Sequence, residues 1–562
     1  MVDKIFPFLS WLRQMTLDKL RADLVAGLTV ALVAIPQSLA YAQLAGLPPY
    51  YGLYAAMIPT AVGALFGASA QLSTGPVALT SLLTAASIAP LAAAGSDQYV
   101  AYVILLALLS GLFQLAFGLM RVGVLMNLLS HPVLMGFVNA AAILITLSQI
   151  PALFGVRPPQ LGHAVLDTWH ILTHAFDSHG HSIVFSSIAI AALAAFRRYA
   201  PRLPGVLVTV ALLTAASYAV DYAGSGGRIV GDIPSGLPGF ALPAGNFDAW
   251  ILLLPAAFVV AVISFMEAMS SGKIAAVKTA SKWDENQELI GQGLAKIASA
   301  FAQTMPVSGS FSRSALNLAS GARTGASSII CALCVMLTLL FFTPLLKYLP
   351  RPVLAAIIVM ALTSLINLRS LRNAWRASRD DALAAVITFA ATIAFAPQIQ
   401  NGIFAGILVS LGMFIFRRMR PAMEVIEPAS AELARELPAN APESLRRAMG
   451  IVRFDASLVF VNVSYFEAAV LRIEHNHPRL RFVLVSATGI NGLDSSGAEM
   501  LAALCDALRK NGITLIFSCV KPQVMRVLDR TGLASHIGRE NIFPDDRNAF
   551  RALATRAEGE AP

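Results

Sequence analysis

From Leu24 to Ser96 the chain runs for 73 residues without one Asp, Glu, Lys, Arg or His. A helix needs about 20 apolar residues to cross a bilayer, so this stretch alone holds two to three spans. Charged residues make up 13% of the 562, about half the roughly 25% of an ordinary soluble protein. The deficit is uneven. About 40 charged residues fall in residues 1–420, about 10% of that stretch, and about 33 in residues 421–562, about 23%. The chain is therefore made of two materials, a large membrane part and a small soluble C-terminal domain. That leaves no room for a soluble multidomain enzyme.

After the uncharged run, apolar stretches recur at Tyr99–Met120, Val124–Leu147, Ile183–Phe196, Val206–Val220, Trp250–Met269, Leu289–Ala302, Ile329–Leu346, Val353–Ile366, Ala382–Phe395 and Gly402–Phe416. With short ones at Gly75–Ile88 and Ser310–Leu318, the count is about 14 segments. Basic residues cluster at Lys19/Arg21, Arg121, Arg197/Arg198/Arg202, Lys273/Lys278/Lys282, Arg323, Arg369/Arg372/Arg376/Arg379 and Arg417/Arg418/Arg420. With 14 segments and a cytoplasmic N-terminus, every cluster falls on the cytoplasmic side, as the positive-inside rule requires. The opposite loops, such as Pro151–His181 and Ala223–Asp248, carry few bases. The expected layout is a cytoplasmic segment (1–21), a transmembrane domain (22–420), a linker (421–443) and a cytoplasmic domain (444–562). In the last, short β-branched runs, among them Leu458–Val463, alternate with helical patterns, which reads as a mostly parallel α/β domain. The net charge of +9 splits into about +10 for the membrane part and −1 for the tail. Because the excess base lies in short loops rather than one patch, nucleic acid is not an expected partner. Met1–Arg21 has no small-residue cleavage site, so no secretory signal is expected.

Two segments are too polar to face lipid: 73–88 (STGPVALTSLLTAASI) and 306–320 (PVSGSFSRSALNLAS). Each is short, rich in Ser, Gly and Pro, and third in a set of seven. A pair of interrupted segments at matching positions of two halves points to an inverted-repeat transporter with its site between them. Their helix N-termini, expected near the bilayer midplane, favour an anion through free N–H groups and the helix dipole. The alternative is a pair of re-entrant packing segments without a ligand.

Few residues carry chemistry. Arg313 sits at the start of the second interrupted helix, where a buried guanidinium suits an oxyanion; the alternative is a loop arginine that snorkels to the interface. Glu267 is the lone carboxylate of an otherwise uncharged span and needs a partner or a proton, with Ser270 and Ser271 a turn further on. It is either a proton site coupled to the anion or half of a static pair with Arg313. Gln37 and Tyr41, four apart on one helical face, can donate to an anion without adding charge or serve as polar packing between helices. Pro36 is expected to break the helical ladder just before them. His163, His170, His174, His179 and His181 crowd one outer loop without the Cys or carboxylates of a metal site, so no metal or cofactor is expected. Cys331, Cys334, Cys505 and Cys519 read as apolar packing residues. No phosphate-binding loop is present, which argues against an ATP-driven pump. In the tail, Asp494, Ser495 and Ser496 open a helix after a strand, where Asp can cap it and a regulatory phosphate would be favoured.

At these residues the sequence resembles the SulP family of anion permeases. The carrying motifs are IPQSLAYAQLAGLPPYYGLYAA (35–56), STGPVALTSLL (73–83), NQELIGQGLAKI (286–297) and PVSGSFSRSALN (306–317), and the last domain resembles a STAS domain through its Asp494–Ser495–Ser496–Gly497 turn. The resemblance implies a polytopic α-helical membrane protein of about 14 segments in a 7+7 inverted repeat. It has core and gate subdomains and a C-terminal α/β STAS-like domain, and works as a homodimer by elevator-like alternating access. It implies an anion between the third and tenth segments, with Gln37 and Tyr41 as ligands, Val77 and Ala78 as backbone donors, and Ser312 and Arg313 as donor and cation. Several chloride-type relatives have an aromatic in the place of Val77, which speaks against a chloride channel or motor. Glu267 matches the glutamate of plant sulfate/proton symporters, whereas sodium-coupled bicarbonate relatives have Asp there with Thr one turn later. Ser496 matches a serine phosphorylated in stand-alone STAS relatives.

The expectation is a secondary active transporter of small oxyanions in the cell inner (plasma) membrane, with both termini cytoplasmic, performing proton-coupled sulfate uptake. Glu267, with Ser270 and Ser271, is the expected coupling site. The alternatives are a bicarbonate or dicarboxylate transporter, possibly sodium-coupled, an anion exchanger, and a membrane-anchored sensor acting through the STAS domain. No nucleophile–base pair or metal triad supports an enzyme.

Overall fold

The computed structural model describes residues 6–123, 131–156, 171, 173, 179–200, 203–234, 236–243, 247–363, 366–396, 398–438 and 441–559. It forms two compact units, Met1–Ser410 and Leu411–Pro562.

The first unit is helical. Among the described residues, besides helices at Phe8–Leu12 and Leu368–Ala377, fourteen segments follow one another, the last running on past Ser410: α1 (Leu17–Leu44), α2 (Tyr50–Phe66), α3 (Ala78–Ile88), α4 (Asp97–Leu119), α5 (His131–Phe154), α6 (Gly180–Tyr199), α7 (Gly205–Ala219), α8 (Phe247–Thr279), α9 (Glu285–Phe301), α10 (Phe311–Ala319), α11 (Ala326–Leu346), α12 (Arg351–Leu362), α13 (Arg379–Ala394) and α14 (Gln400–Met419). Seven are long and apolar enough to cross a membrane. Side-chain caps set several starts. Thr16 accepts from the Lys19 N–H, Ser96 from that of Tyr99, and Asp284 from those of Asn286 and Gln287, each satisfying donors that a helix start leaves unpaired.

The segments fall into two packed groups. In one, α9 lies against α4 and α2, α8 against α4, and α1 against α10 and α11. In the other, α5 packs on α12 and α13, and α6 on α12. Helix α1 meets both groups, touching α7 and α12 as well. This is the core-and-gate division of a 7+7 repeat. One expectation needs correcting: α1 runs unbroken through Pro36. Proline removes one N–H from the ladder and crowds the preceding turn, but neighbouring helices in a membrane unit tolerate this. Gln37 and Tyr41 therefore sit on a continuous helix, one turn apart.

In the second unit a five-stranded sheet runs in the order β3 (Met423–Ile426), β4 (Met449–Phe454), β5 (Phe482–Ser486), β6 (Thr514–Ser518) and β7 (Ile542–Phe543). Strand β3 is antiparallel to β4, and the other pairings are parallel. The two-residue period of the strands divides two buried layers. Val452, Phe454, Val483, Val485, Leu515 and Phe517 pack with helices α15 (Val463–Asn476) and α16 (Ser495–Lys510). Ile451, Phe482, Leu484 and Ile516 pack with Leu433, Leu445, Phe550 and Leu553. Two readings differ here. Residues 421–443, expected as linker, supply strand β3 and a helical turn at Ala431–Glu436, and Arg453 on β4 donates to Glu424 at 3.3 Å and Glu436 at 2.7 Å. Leu458–Val463 is no strand. It makes a single parallel bridge, Leu458 to Leu493, and then turns into α15.

Candidate functional site

The two interrupted segments meet. Thr74–Gly75 (β1) pairs antiparallel with Ser308–Gly309 (β2), Thr74 opposite Gly309 and Gly75 opposite Ser308. Helix α3 begins three residues after β1, and α10 two residues after β2. Glycine permits the crossing. A Cβ on Gly309 would lie 2.9 Å from the Ala268 Cα of α8, and one on Gly75 would lie 3.0 Å from Arg313 Nη2.

The two helix starts differ. Val77, extended at φ −138° and ψ 154°, precedes α3 and cannot cap it. The first intrahelical bond is from the Ser81 N–H to the Val77 carbonyl at 3.0 Å, which leaves the N–H groups of Ala78, Leu79 and Thr80 without helical acceptors. Val77 and Ala78 are both buried. Helix α10 is capped by Ser310, whose Oγ accepts from the Arg313 N–H at 3.4 Å and lies 3.5 Å from Ser312 Oγ. Ser312 is exposed, and Arg313 is only 2% exposed.

Arg313 bridges the crossing. Its Nη1 donates to the Pro76 carbonyl at 2.8 Å and its Nε to Ser73 Oγ at 3.4 Å, while Nη2 is buried without a protein partner. Glu267, half-buried on α8, also has a buried oxygen, Oε2, without a partner. The two groups lie within electrostatic reach of each other. Yet the guanidinium directs its hydrogen bonds to Pro76 and Ser73. Ser271, one turn beyond Glu267, is buried with an unpartnered hydroxyl, and Ser270 is half-buried. Unpaired buried polar atoms are few in native structures. Here Arg313 Nη2, Glu267 Oε2, Ser271 Oγ and Gln37 Oε1 all belong to the expected set.

Gln37 lines a cavity of about 270 Å³ with Phe196 and Arg197 of α6, Val206 of α7 and Ile357 of α12. Arg197, from a basic cluster in the last turn of α6, forms part of its wall. Tyr41 is buried one turn further along α1, in an apolar cluster with Leu39, Ala78, Val353 and Ile357.

Sequence reasoning missed the residues that hold the crossing from behind. Glu288, Gln292 and Lys296 recur every four residues on one buried face of α9. Gln292 Nε2 donates to Thr74 Oγ1 of β1 at 2.8 Å. Lys296 Nζ, wholly buried, donates to Gln114 Oε1 and Ser264 Oγ, both at 2.8 Å. The Ser264 carbonyl in turn accepts from Ser308 Oγ of β2 at 2.7 Å. Glu288 accepts from the N–H groups of Ala68 and Ser69. The four-residue spacing of polar groups in an apolar helix was the available signal.

In the second unit Asp494 caps α16. Its Oδ1 accepts from the Gly497 N–H and its Oδ2 from the Phe460 N–H, both at 2.8 Å. Ser495 is exposed and Ser496 half-buried. Of the outer histidines, His163, His170 and His174 lie outside the described residues. His179 is engaged by Ser182 Oγ and the Ser225 carbonyl.

Comparison with known proteins gives the family and the fold. The sulfate permease family model matches residues 20–388, and the STAS domain model residues 442–549. The chain is 32% identical to sulfate transporter 4.1, chloroplastic, of Arabidopsis thaliana over 96% of its own length and 81% of that protein's. Its fold matches murine solute carrier 26 family member A9, an anion transporter, with a TM-score of 0.90 over 100% of this chain and 95% of that one at 22% identity. It also matches the transmembrane domain of the cyanobacterial bicarbonate transporter BicA, with a TM-score of 0.60 over 71% of this chain and 99% of that one at 26% identity.

Proposed function

The chain belongs to the sulfate permease family, a family of transporters and not enzymes, and from that premise we propose that it performs proton-coupled sulfate uptake by alternating access. The observation that carries this reading is the β1–β2 crossing. It sets two helix N-termini and the buried Arg313 around one place and leaves Nη2 unpaired. Three backbone donors from α3, with the Ser312 hydroxyl and Arg313 Nη2 from α10, suit a tetrahedral oxyanion. Gln37 and Tyr41 close the site from α1.

Glu267 supplies the coupling. Carrying a dianion across a low-dielectric barrier is costly, and a proton travelling on a nearby carboxylate reduces the net charge moved. Glu267 shares α8 with Ser264, whose backbone carbonyl anchors β2. A change at that carboxylate therefore reaches the α10 start through one short chain of contacts. The core group carries the site, and the gate group slides against it along α1 and α12. The protein works as a homodimer in the cell inner membrane with both termini cytoplasmic. Sulfate is favoured by the name of the Arabidopsis relative. Bicarbonate remains the second reading, on the likeness to BicA.

Radiolabelled uptake into proteoliposomes tests this, with sulfate, bicarbonate and dicarboxylates compared under an imposed pH gradient with and without sodium. Sulfate accumulation driven by the proton gradient alone is expected. Uptake that needs sodium, or that prefers bicarbonate, overturns the assignment.

A further inference from the structure

On the chain's own path, Arg228 and Arg351 lie at the end of the transport unit opposite the basic loops, one between α7 and α8 and the other at the start of α12. Bases are scarce on that side, which makes their pairing notable. Segment 228–231 runs antiparallel beside 347–351. The Arg351 N–H donates to the Arg228 carbonyl at 2.9 Å, the Val230 N–H to the Leu349 carbonyl at 2.9 Å, and Ile229 bridges Pro350. Arg351 Nε also donates to the Ile229 carbonyl at 3.2 Å. This ladder fixes the two arginines side by side, both half-buried, and the Arg351 guanidinium feels the charge of Arg228.

Among the described residues no carboxylate pairs with either arginine. Asp232, four residues from Arg228, pairs with Lys347 Nζ at 2.7 Å, and Asp221 accepts from the Gly224 N–H at 3.2 Å. Both arginines instead line a pocket of about 170 Å³ with Gln43, Ser148, Gln149 and Ser182, and among the described residues no acidic one lines it. That volume equals the share of about six water molecules, enough for a small oxyanion with part of its hydration. Gln43 Oε1 is buried there without a partner, and an amide in that position presents N–H donors on flipping. Gln43 is two residues beyond Tyr41 and six beyond Gln37. At 1.5 Å per residue it sits about 9 Å along α1 from Gln37.

We propose that Arg228 and Arg351 form a second anion site, an outer docking site for a small divalent oxyanion on its way to Tyr41 and Gln37. Two adjacent guanidinium forks match a tetrahedral dianion better than a monovalent ion. A cleft of one sign raises the local concentration of its counter-ion and speeds capture in a salt-dependent way. Which face of the membrane the site serves rests on the proposed orientation; the binding itself does not.

Sulfate titration of the purified full chain with the crossing disabled by Arg313→Ala reads the site directly. Residual sulfate binding at one weaker site is expected, with nitrate at least about 10-fold weaker. It should vanish in Arg313→Ala/Arg228→Gln and in Arg313→Ala/Arg351→Gln. Arg351→Lys, which keeps the charge, serves if the glutamine variant fails to fold. With Arg313 intact, Arg228→Gln should raise the sulfate KM about 10-fold at low salt, an effect that fades above about 0.5 M salt as screening shortens the Debye length. The proposal is overturned if Arg313→Ala binds no sulfate, if its residual binding survives both arginine substitutions, or if nitrate binds equally. The titration uses no transport readout, so it stands even if sulfate proves not to be the transported ion.

Discussion

Helices α3 and α10 occupy matching places in the two halves, and they solve the same problem with different chemistry. Each follows a two-residue strand, each starts from extended backbone, and their strands pair with each other. Helix α10 brings side chains: Ser310 caps it, and Ser312 and Arg313 stand in its first turn. Helix α3 brings none. Pro76 and Val77 precede it, no side chain caps it, and its donors remain backbone N–H groups. One half thus supplies a cation and the other a bare dipole. The cradle carries one positive charge, on its α10 side.

The largest break in this comparison is the loss of that charge. Hydrogen bonds to an ionised group contribute about 1.5–3 kcal/mol each, and Arg313 also ties α10 to the Pro76 carbonyl. Arg313→Ala should weaken sulfate at the crossing by at least about 100-fold in calorimetry; an unchanged affinity would leave α3 as the whole site. Arg313→Lys should recover part of the affinity, because a point charge lacks the fork.

Next comes the carboxylate that α8 places beside α10. Glu267→Gln keeps the shape and removes the exchangeable proton. Uptake in proteoliposomes should lose its rise toward acid external pH while sulfate binding persists. If the pH dependence survives, the proton is carried elsewhere, and the buried Lys296 network behind the crossing becomes the first place to look.

The two glycines separate scaffold from site. At Gly309 a Cβ meets the Ala268 backbone and Leu72, whereas at Gly75 it meets the guanidinium of Arg313. Overpacking against a fixed backbone costs about 1–3 kcal/mol. Gly309→Ala should therefore lower thermal stability at little intrinsic cost to the ligand groups. Gly75→Ala, strained at φ +158° and pressed against the guanidinium, should lower stability as well and also weaken sulfate by shifting Arg313. Unchanged sulfate affinity in Gly75→Ala would mean that the crossing, rather than the guanidinium, yields under strain.

How much of this was legible depended on which signal each residue carries. The polar segments 73–88 and 306–320 stood out because they interrupt hydropathy, and Arg313 and Glu267 because a charge in an apolar run is rare. The β1–β2 pairing was not legible, since two residues have no period. Lys296 was passed over because its partners, Gln114 and Ser264, are far off in sequence; only the tertiary contact shows it wholly buried. Pro36 misled in the other direction, because a proline signal is local while the support for α1 comes from the helices around it. In the tail, Met423–Ile426 read as linker because a four-residue strand with a central Glu shows little alternation. Arg453 explains that Glu.

The smallest expected effect is the most specific test of the comparison. Val77 holds the extended conformation of a helix cap but has no oxygen, whereas Ser310 at φ −88° and ψ 125° has one and uses it on the Arg313 N–H. Val77→Ser would make α3 resemble α10. The new hydroxyl should accept from Leu79 or Thr80, stabilising the helix start by about 0.5–2 kcal/mol. If those donors serve the anion, the serine competes with it, and sulfate affinity should fall about 3-fold as the thermal midpoint rises. A Val77→Thr variant should act in the same direction while keeping the β-branched shape, so a packing defect can be told from capping. If both variants gain stability and bind sulfate as tightly as before, the bare start of α3 does not hold the anion, and its missing cap reflects only the tight approach of Pro76 to Arg313.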